Sequence, residues 1–153
     1  MAYYIFGGAF DPPHVGHMAI VKSLLAKKHP EKIIIIPSSA RNDKDYAVAD
    51  EHRLAMLEIF VDEIHQISKT PLHPPFSGGQ EMVIIDDYFV KNWSGEMITK
   101  DVDQYCREKY GEDIVHIFGT DTIESMPSWD EEGYAAKRIK KFFIPRVPVS
   151  PPQ

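Results

Sequence analysis

The 153-residue chain has a single cysteine, Cys106, so no internal disulfide can form and a reducing compartment suits it. No apolar stretch approaches the roughly 18 residues of a membrane span. The N-terminus lacks the basic-then-apolar pattern of a secretory leader, which leaves the cytoplasm as the expected setting. There is no run of lysine or arginine and the formal net charge is −6, so binding to nucleic acid through a broad basic surface is not expected. Repeats and low-complexity segments are missing as well. What remains, 43% hydrophobic and 26% charged residues, is the composition of one globular domain with a single core. An anionic ligand on such a chain has to be held by a local cluster of N–H donors and positive charge.

Along the chain, Tyr3-Tyr4-Ile5-Phe6 predicts a first strand ended by Gly7-Gly8. Met18, Val21, Leu24 and Leu25 recur at helical spacing, predicting a helix over 16–28 that Pro30 stops. Lys32-Ile33-Ile34-Ile35-Ile36 is a continuous apolar run of the kind found in parallel strands covered on both faces, and Pro37 ends it. Asp50 is a good N-cap for a second helix, whose apolar face of Leu54, Leu57, Val61 and Ile64 continues to about residue 67. The Pro- and Gly-rich stretch 70–79 reads as a surface loop, and 82–85 as a third strand. Thr99 reads as the cap of a helix running to Tyr110, with Asp101 and Asp103 in its first turn. A strand over 114–118 ends at Gly119, a short helix over 122–126 precedes Pro127, and 142–144 form the last strand. This alternation predicts an α/β fold, a Rossmann-like parallel sheet with helices on both faces and right-handed crossovers, in one domain over 1–146 with a proline-rich tail over 147–153. Ligands of such sheets bind beyond the carboxyl ends of the strands, where the loops after Phe6, Ile36 and Phe118 sit.

The stretch Gly7-Gly8-Ala9-Phe10-Asp11-Pro12-Pro13-His14-Val15-Gly16-His17 carries the most chemistry. Two glycines let the backbone approach a ligand with no Cβ in the way. His14 and His17, at i and i+3, lie near one another once the turn winds into a helix. The helix beginning near Gly16 directs its N–H groups and positive dipole end at the same spot, and polyphosphate is the natural guest. Asp11, the remaining ligand type nearby, suits backbone bonding in a tight turn, so no metal site is expected among these side chains.

The pattern Gly7-Gly8-x-Phe10-Asp11-Pro12-x-His14-x-x-His17 resembles the signature of the nucleotidyltransferase superfamily with the two-histidine motif. With its double glycine and Pro12-Pro13 it is most similar to the nicotinate and nicotinamide mononucleotide adenylyltransferases. Ile36-Pro37 followed by Lys44, His52-Arg53-Leu54-Ala55-Met56-Leu57, and Ile117-Phe118-Gly119-Thr120-Asp121-Thr122 followed by Trp129 resemble further segments of that family, in order. The resemblance implies transfer of an adenylyl group from ATP to a mononucleotide, nicotinate mononucleotide being favoured, with pyrophosphate as the leaving group and Mg²⁺ carried on the triphosphate. It implies catalytic roles for His14, His17 and Lys44. ATP binding falls to Gly7, Gly8, Ala9, Phe10, Gly16, Gly119 and Asp121, the last through the ribose hydroxyls. Acceptor binding falls to Trp129, Trp93, Thr99 and Arg53. From spacing alone, Lys44 and Arg53 read as solvated side chains and Trp129 as cover for core, whereas the resemblance implies that Trp129 stacks on a pyridine ring. His29, His65, His73 and His116 read as structural or solvated.

Two departures qualify the match. Ala9 stands where the family has threonine or serine, removing a hydroxyl that could bond phosphate. The closing stretch Phe142-Phe143-Ile144-Pro145-Arg146-Val147-Pro148-Val149-Ser150-Pro151-Pro152-Gln153 has no counterpart of the family's serine/threonine-rich helix start with its arginine. Two further readings therefore stand beside the first: a nucleotidyltransferase with another phosphate acceptor, and a regulatory nucleotide-binding module with impaired catalysis.

Overall fold

The computed structural model describes residues 2–8, 10, 13, 15–38, 50–68, 82–92, 98–124, 126–128 and 133–145. The expected loop at 70–79 and tail at 147–153 lie outside them. Strands β1 (Tyr3–Gly8), β2 (Lys32–Pro37), β3 (Val83–Ile85), β4 (Ile114–Gly119) and β5 (Lys141–Ile144) form one parallel sheet in the order β3-β2-β1-β4-β5. Helices α1 (Val15–Lys27), α2 (Asp50–Ser68), α3 (Tyr88–Asn92), α4 (Thr99–Tyr110) and α5 (Tyr134–Lys137) complete the fold.

The isoleucine run explains the layering. Alternate side chains of a strand point to opposite faces, and here Ile33 and Ile35 join Val21, Leu24, Leu57, Phe60, Val61 and Ile64 from α1 and α2. Ile34 and Ile36 join Phe89 and Cys106 from α3 and α4 on the other face. All four isoleucines are buried, as a central parallel strand requires. Burial also pushes the Cys106 thiol up to about 12, helped by the charges of Asp86 and Asp103, which leaves it an unreactive core residue.

The elements expected from the sequence are present within a residue or two of their predicted limits, with three corrections. Ile98, not Thr99, is the N-cap of α4, with extended backbone and no side-chain cap bond, and Thr99 is the first helical residue. Asp103 therefore falls in the second turn and is buried. The predicted helix over 122–126 is replaced by two 3₁₀ turns, Thr120–Thr122 and Met126–Ser128. The five-residue helix α3 and the four-residue helix α5 had no counterpart in the prediction, both being too short to show a period. Asp50 opens α2, but its carboxylate is engaged by Arg53. No helix among the described residues is long and apolar enough to cross a membrane.

Candidate active site

In an open parallel sheet the crevice opens where strand order reverses, and here that point lies between β1 and β4. The register shows how it opens. Tyr3, Tyr4 and Ile5 pair with Ile114, Val115 and His116, and there the pairing stops. Both strands continue, β1 to Gly8 against β2 and β4 to Gly119 against β5. The two central strands thus diverge over their last three residues, with Gly7-Gly8 on one lip and Phe118-Gly119 on the other.

Among the described residues nothing crowds these glycines. A Cβ on Gly7 would meet only the Ile36 carbonyl, at 3.8 Å, and one on Gly8 would touch the Phe10 ring at 3.4 Å. Both are ordinary contacts, so internal packing does not demand glycine at Gly7. On the other lip the Thr122 hydroxyl donates to the Gly119 carbonyl at 2.7 Å and closes the 3₁₀ turn whose backbone includes Asp121.

Past Gly8 the chain turns through Phe10, which has φ +48° and is 1% exposed. A bulky L-residue in this left-handed region is held at a cost of about 1–2 kcal/mol. Its ring meets Phe6 edge-on at 5.3 Å between centroids and lies 4.7 Å from the imidazole of His17. Phe6 is also near His17, at 6.0 Å. His17 stands in the first turn of α1, whose N-terminus faces the same edge of the sheet because β1 feeds directly into it. Gly16 is part of that turn.

The end of β2 is tied to this region through Ser38. Its amide donates to the Gly8 carbonyl at 2.8 Å, and its own carbonyl accepts from Arg53 Nη2 at 2.9 Å. The same nitrogen reaches Asp50 Oδ1 at 2.6 Å. Arg53 is fully buried, so the solvated side chain expected from spacing is corrected: the guanidinium is enclosed by the end of β2 and the start of α2. Thr99, the other described residue assigned to the acceptor, opens α4. This helix leads into β4 through only three residues and so runs opposite to it. His14, Ala9, Lys44, Trp93 and Trp129 lie outside the described residues. Among those described, no three His, Cys, Asp or Glu side chains come together to hold a metal.

Two buried polar clusters gather on α4, and local sequence patterns barely signal either. Asp103 Oδ1 accepts from His116 Nε2 at 2.9 Å, and Oδ2 accepts from Arg107 Nε at 2.8 Å and the Tyr134 hydroxyl at 2.7 Å. Burial works to raise the Asp103 carboxyl, but the bonds from His116 and Tyr134 and the charges of His116 and Arg107 outweigh it and hold the group below its ordinary value of 3.8. Asp86, just past β3, is buried too. It accepts from the hydroxyls of Tyr105 and Tyr110, from Lys109 Nζ and from the Tyr88 amide. Here also burial is outweighed, by Tyr110, Lys109, Tyr88 and Tyr105, and the carboxyl is held low. His65 is structural, its Nε2 accepting from the Val83 amide at 3.3 Å. The one available signal was His116 standing inside an apolar strand, and spacing could not name its partner.

Comparison with known proteins agrees with this geometry. A protein of Oceanobacillus iheyensis named probable nicotinate-nucleotide adenylyltransferase is 29% identical over 127 residues, covering 82% of this chain and 58% of that protein. One of the same name from Aquifex aeolicus is 25% identical over 144 residues, covering 93% of this chain and 76% of its own length. The chain therefore spans little more than half the length of some curated relatives that it matches. A solved structure of Plasmodium falciparum nicotinic acid mononucleotide adenylyltransferase complexed with NaAD superposes with a TM-score of 0.70 at 18% identity, over 95% of this chain and 75% of that one, a likeness of fold. The pattern of the cytidylyltransferase-like family runs from residue 5, inside β1, to residue 146, past the end of β5, so that it takes in both lips of the crevice and every strand of the sheet: the chain belongs to that family.

Proposed function

We propose that this chain is an adenylyltransferase that condenses ATP with nicotinate mononucleotide to the dinucleotide and pyrophosphate. The observation that carries the reading is the parting of β1 and β4 beyond Ile5 and His116, with the glycine-histidine signature on one lip and Gly119 on the other. The names of the relatives supply the substrate class.

In this reading a phosphate oxygen of the mononucleotide attacks the α-phosphorus of ATP in line. The bond from that phosphorus to the bridging oxygen of the β-phosphate breaks, and pyrophosphate departs. The attacking phosphate is already ionised, so the protein's work is positioning and charge stabilisation rather than proton transfer. His17 and His14 donate to the α-phosphate and leaving pyrophosphate, the amides at the start of α1 add donors, and Lys44 supplies a point charge. Gly7 and Gly8 admit the triphosphate against bare backbone. Asp121 holds the ribose hydroxyls, Trp129 stacks on the pyridine ring, and Trp93 and Thr99 serve acceptor binding. Arg53 acts on the acceptor side through Ser38 and Asp50. Mg²⁺ brought in on the triphosphate would supply charge neutralisation at the phosphate oxygens, the hard ligands it prefers.

The test is pyrophosphate release from ATP and Mg²⁺ with nicotinate mononucleotide, with nicotinamide mononucleotide and with neither. Release that requires the nicotinate form is expected. Release only with the amide moves the acceptor assignment, and silence with both while ATP still binds overturns the pyridine-nucleotide reading in favour of another phosphate acceptor or a nucleotide-binding module.

A further inference from the structure

We propose that Phe10 is a positioning residue, whose buried ring serves as a platform that fixes the plane of the His17 imidazole. The inference rests on the reading of His17 as a transition-state donor. Phe10 is assigned above to ATP through its backbone, and its ring carries the additional role.

Three observations converge on the ring. First, the backbone at Phe10 is left-handed, at φ +48°, a conformation that Gly, Asn or Asp adopts far more readily. A large aromatic side chain persists there only if the ring makes contacts that a small residue cannot. Second, burial alone does not account for it. Phe6 is nearly as buried in the same cluster from regular strand backbone, yet its centroid is 6.0 Å from that of His17, against 4.7 Å for Phe10. Third, the platform is itself backed by core: Phe10 belongs to the cluster containing Val21 and Leu24, which lie on α1 with His17. The ring therefore spans from the turn to the helix that carries the imidazole. A histidine held against a rigid aromatic ring, here with the two planes tilted by 56°, gives up little rotamer freedom when charge develops on the substrate, which is the condition for a preorganised donor.

The experiment compares Phe10→Leu with Phe6→Leu in the full chain. Each variant is read by thermal unfolding, by kcat and KM for ATP in pyrophosphate release, and by the NMR resonances of the His17 ring protons, with those of His65 and His116 as internal references. Phe10→Leu is expected to move the His17 resonances and to lower kcat on the order of tenfold to a hundredfold while KM for ATP changes less than about threefold. Phe6→Leu, at similar loss of thermal stability, is expected to do much less of both. Equal effects of the two variants on His17 and on kcat would make Phe10 ordinary core and overturn the proposal. If Phe10→Leu does not fold, Phe10→Met, which removes the ring but keeps most of the volume, is read in the same way. If the wild-type chain releases no pyrophosphate, the adenylyltransferase reading fails, and the His17 resonances alone decide the platform.

Discussion

The carboxyl edge between β1 and β4 and the flank that α4 forms with β4, α5 and the residues just past β3 are built on opposite plans. On the flank, charge is buried and satisfied: Asp103 accepts from His116, Arg107 and Tyr134, and Asp86 from two tyrosines, a lysine and an amide. At the edge there is bare glycine, a left-handed phenylalanine and a histidine at the start of a helix. A search for shifted ionisable groups, often a guide to active sites, leads here to the flank. The shifts at Asp86 and Asp103 are those of structural networks, while phosphoryl chemistry with an ionised nucleophile asks the site for donors and space.

The sharpest break of this contrast is Asp103→Ala. Removing one partner of a buried charged pair should cost about 3 kcal/mol or more, read as a fall in the denaturant midpoint, because His116 and Arg107 lose their acceptor. The kcat of the folded fraction should stay within about threefold, the span of an indirect effect. A collapse of kcat at unchanged stability would move Asp103 into the site. At the edge the reverse is expected. His17→Ala should cut kcat by at least ~100-fold, the scale of one lost preorganised donor, with little change in Tm. Unchanged turnover would remove His17 from the mechanism. Gly7→Ala is the milder edge variant. A methyl group there meets only the Ile36 carbonyl, so stability should stay within about 0.5 kcal/mol, as for a site without a special constraint, while the KM for ATP rises. An unaltered KM would show that the triphosphate does not lie against Gly7.

The smallest effect expected is in the acid limb of stability. Both Asp86 and Asp103 have folded-state values below 3.8, so the unfolded chain binds more protons as the pH drops. Their contribution is fully present above the unfolded value of about 4 and is lost as pH falls through their folded values. Tm measured from pH 5 to pH 2 should fall with a shallower slope in Asp103→Asn than in the wild type. An unchanged slope would mean that this carboxyl does not govern acid unfolding.

The sequence-level reading succeeded where the physics is local. The four consecutive isoleucines announced a buried parallel strand and the 3.6-residue spacing of Val21, Leu24 and Leu25 a helix, while Gly7-Gly8, read as the stop of the first strand, are its last two paired residues. It failed where the deciding partner is distant in the chain. Arg53 looked solvated because nothing nearby in sequence reveals that Ser38, fifteen residues earlier, presents its carbonyl there. Thr99 looked like a cap because its side chain suits that role, but the cap is one residue earlier, at Ile98, and Thr99 is already helical.

By itself the chain determined its sheet, its helices and the presence of a glycine-histidine phosphate signature, since each follows from periodicity and from backbone freedom within about ten residues. Only the tertiary structure decided that β1 and β4 part after Ile5 and His116, that Asp103 and Asp86 serve the fold, and that Phe10 turns its ring onto His17. Those outcomes depend on register and on packing between segments far apart in sequence, and neither is encoded in any single stretch of the chain.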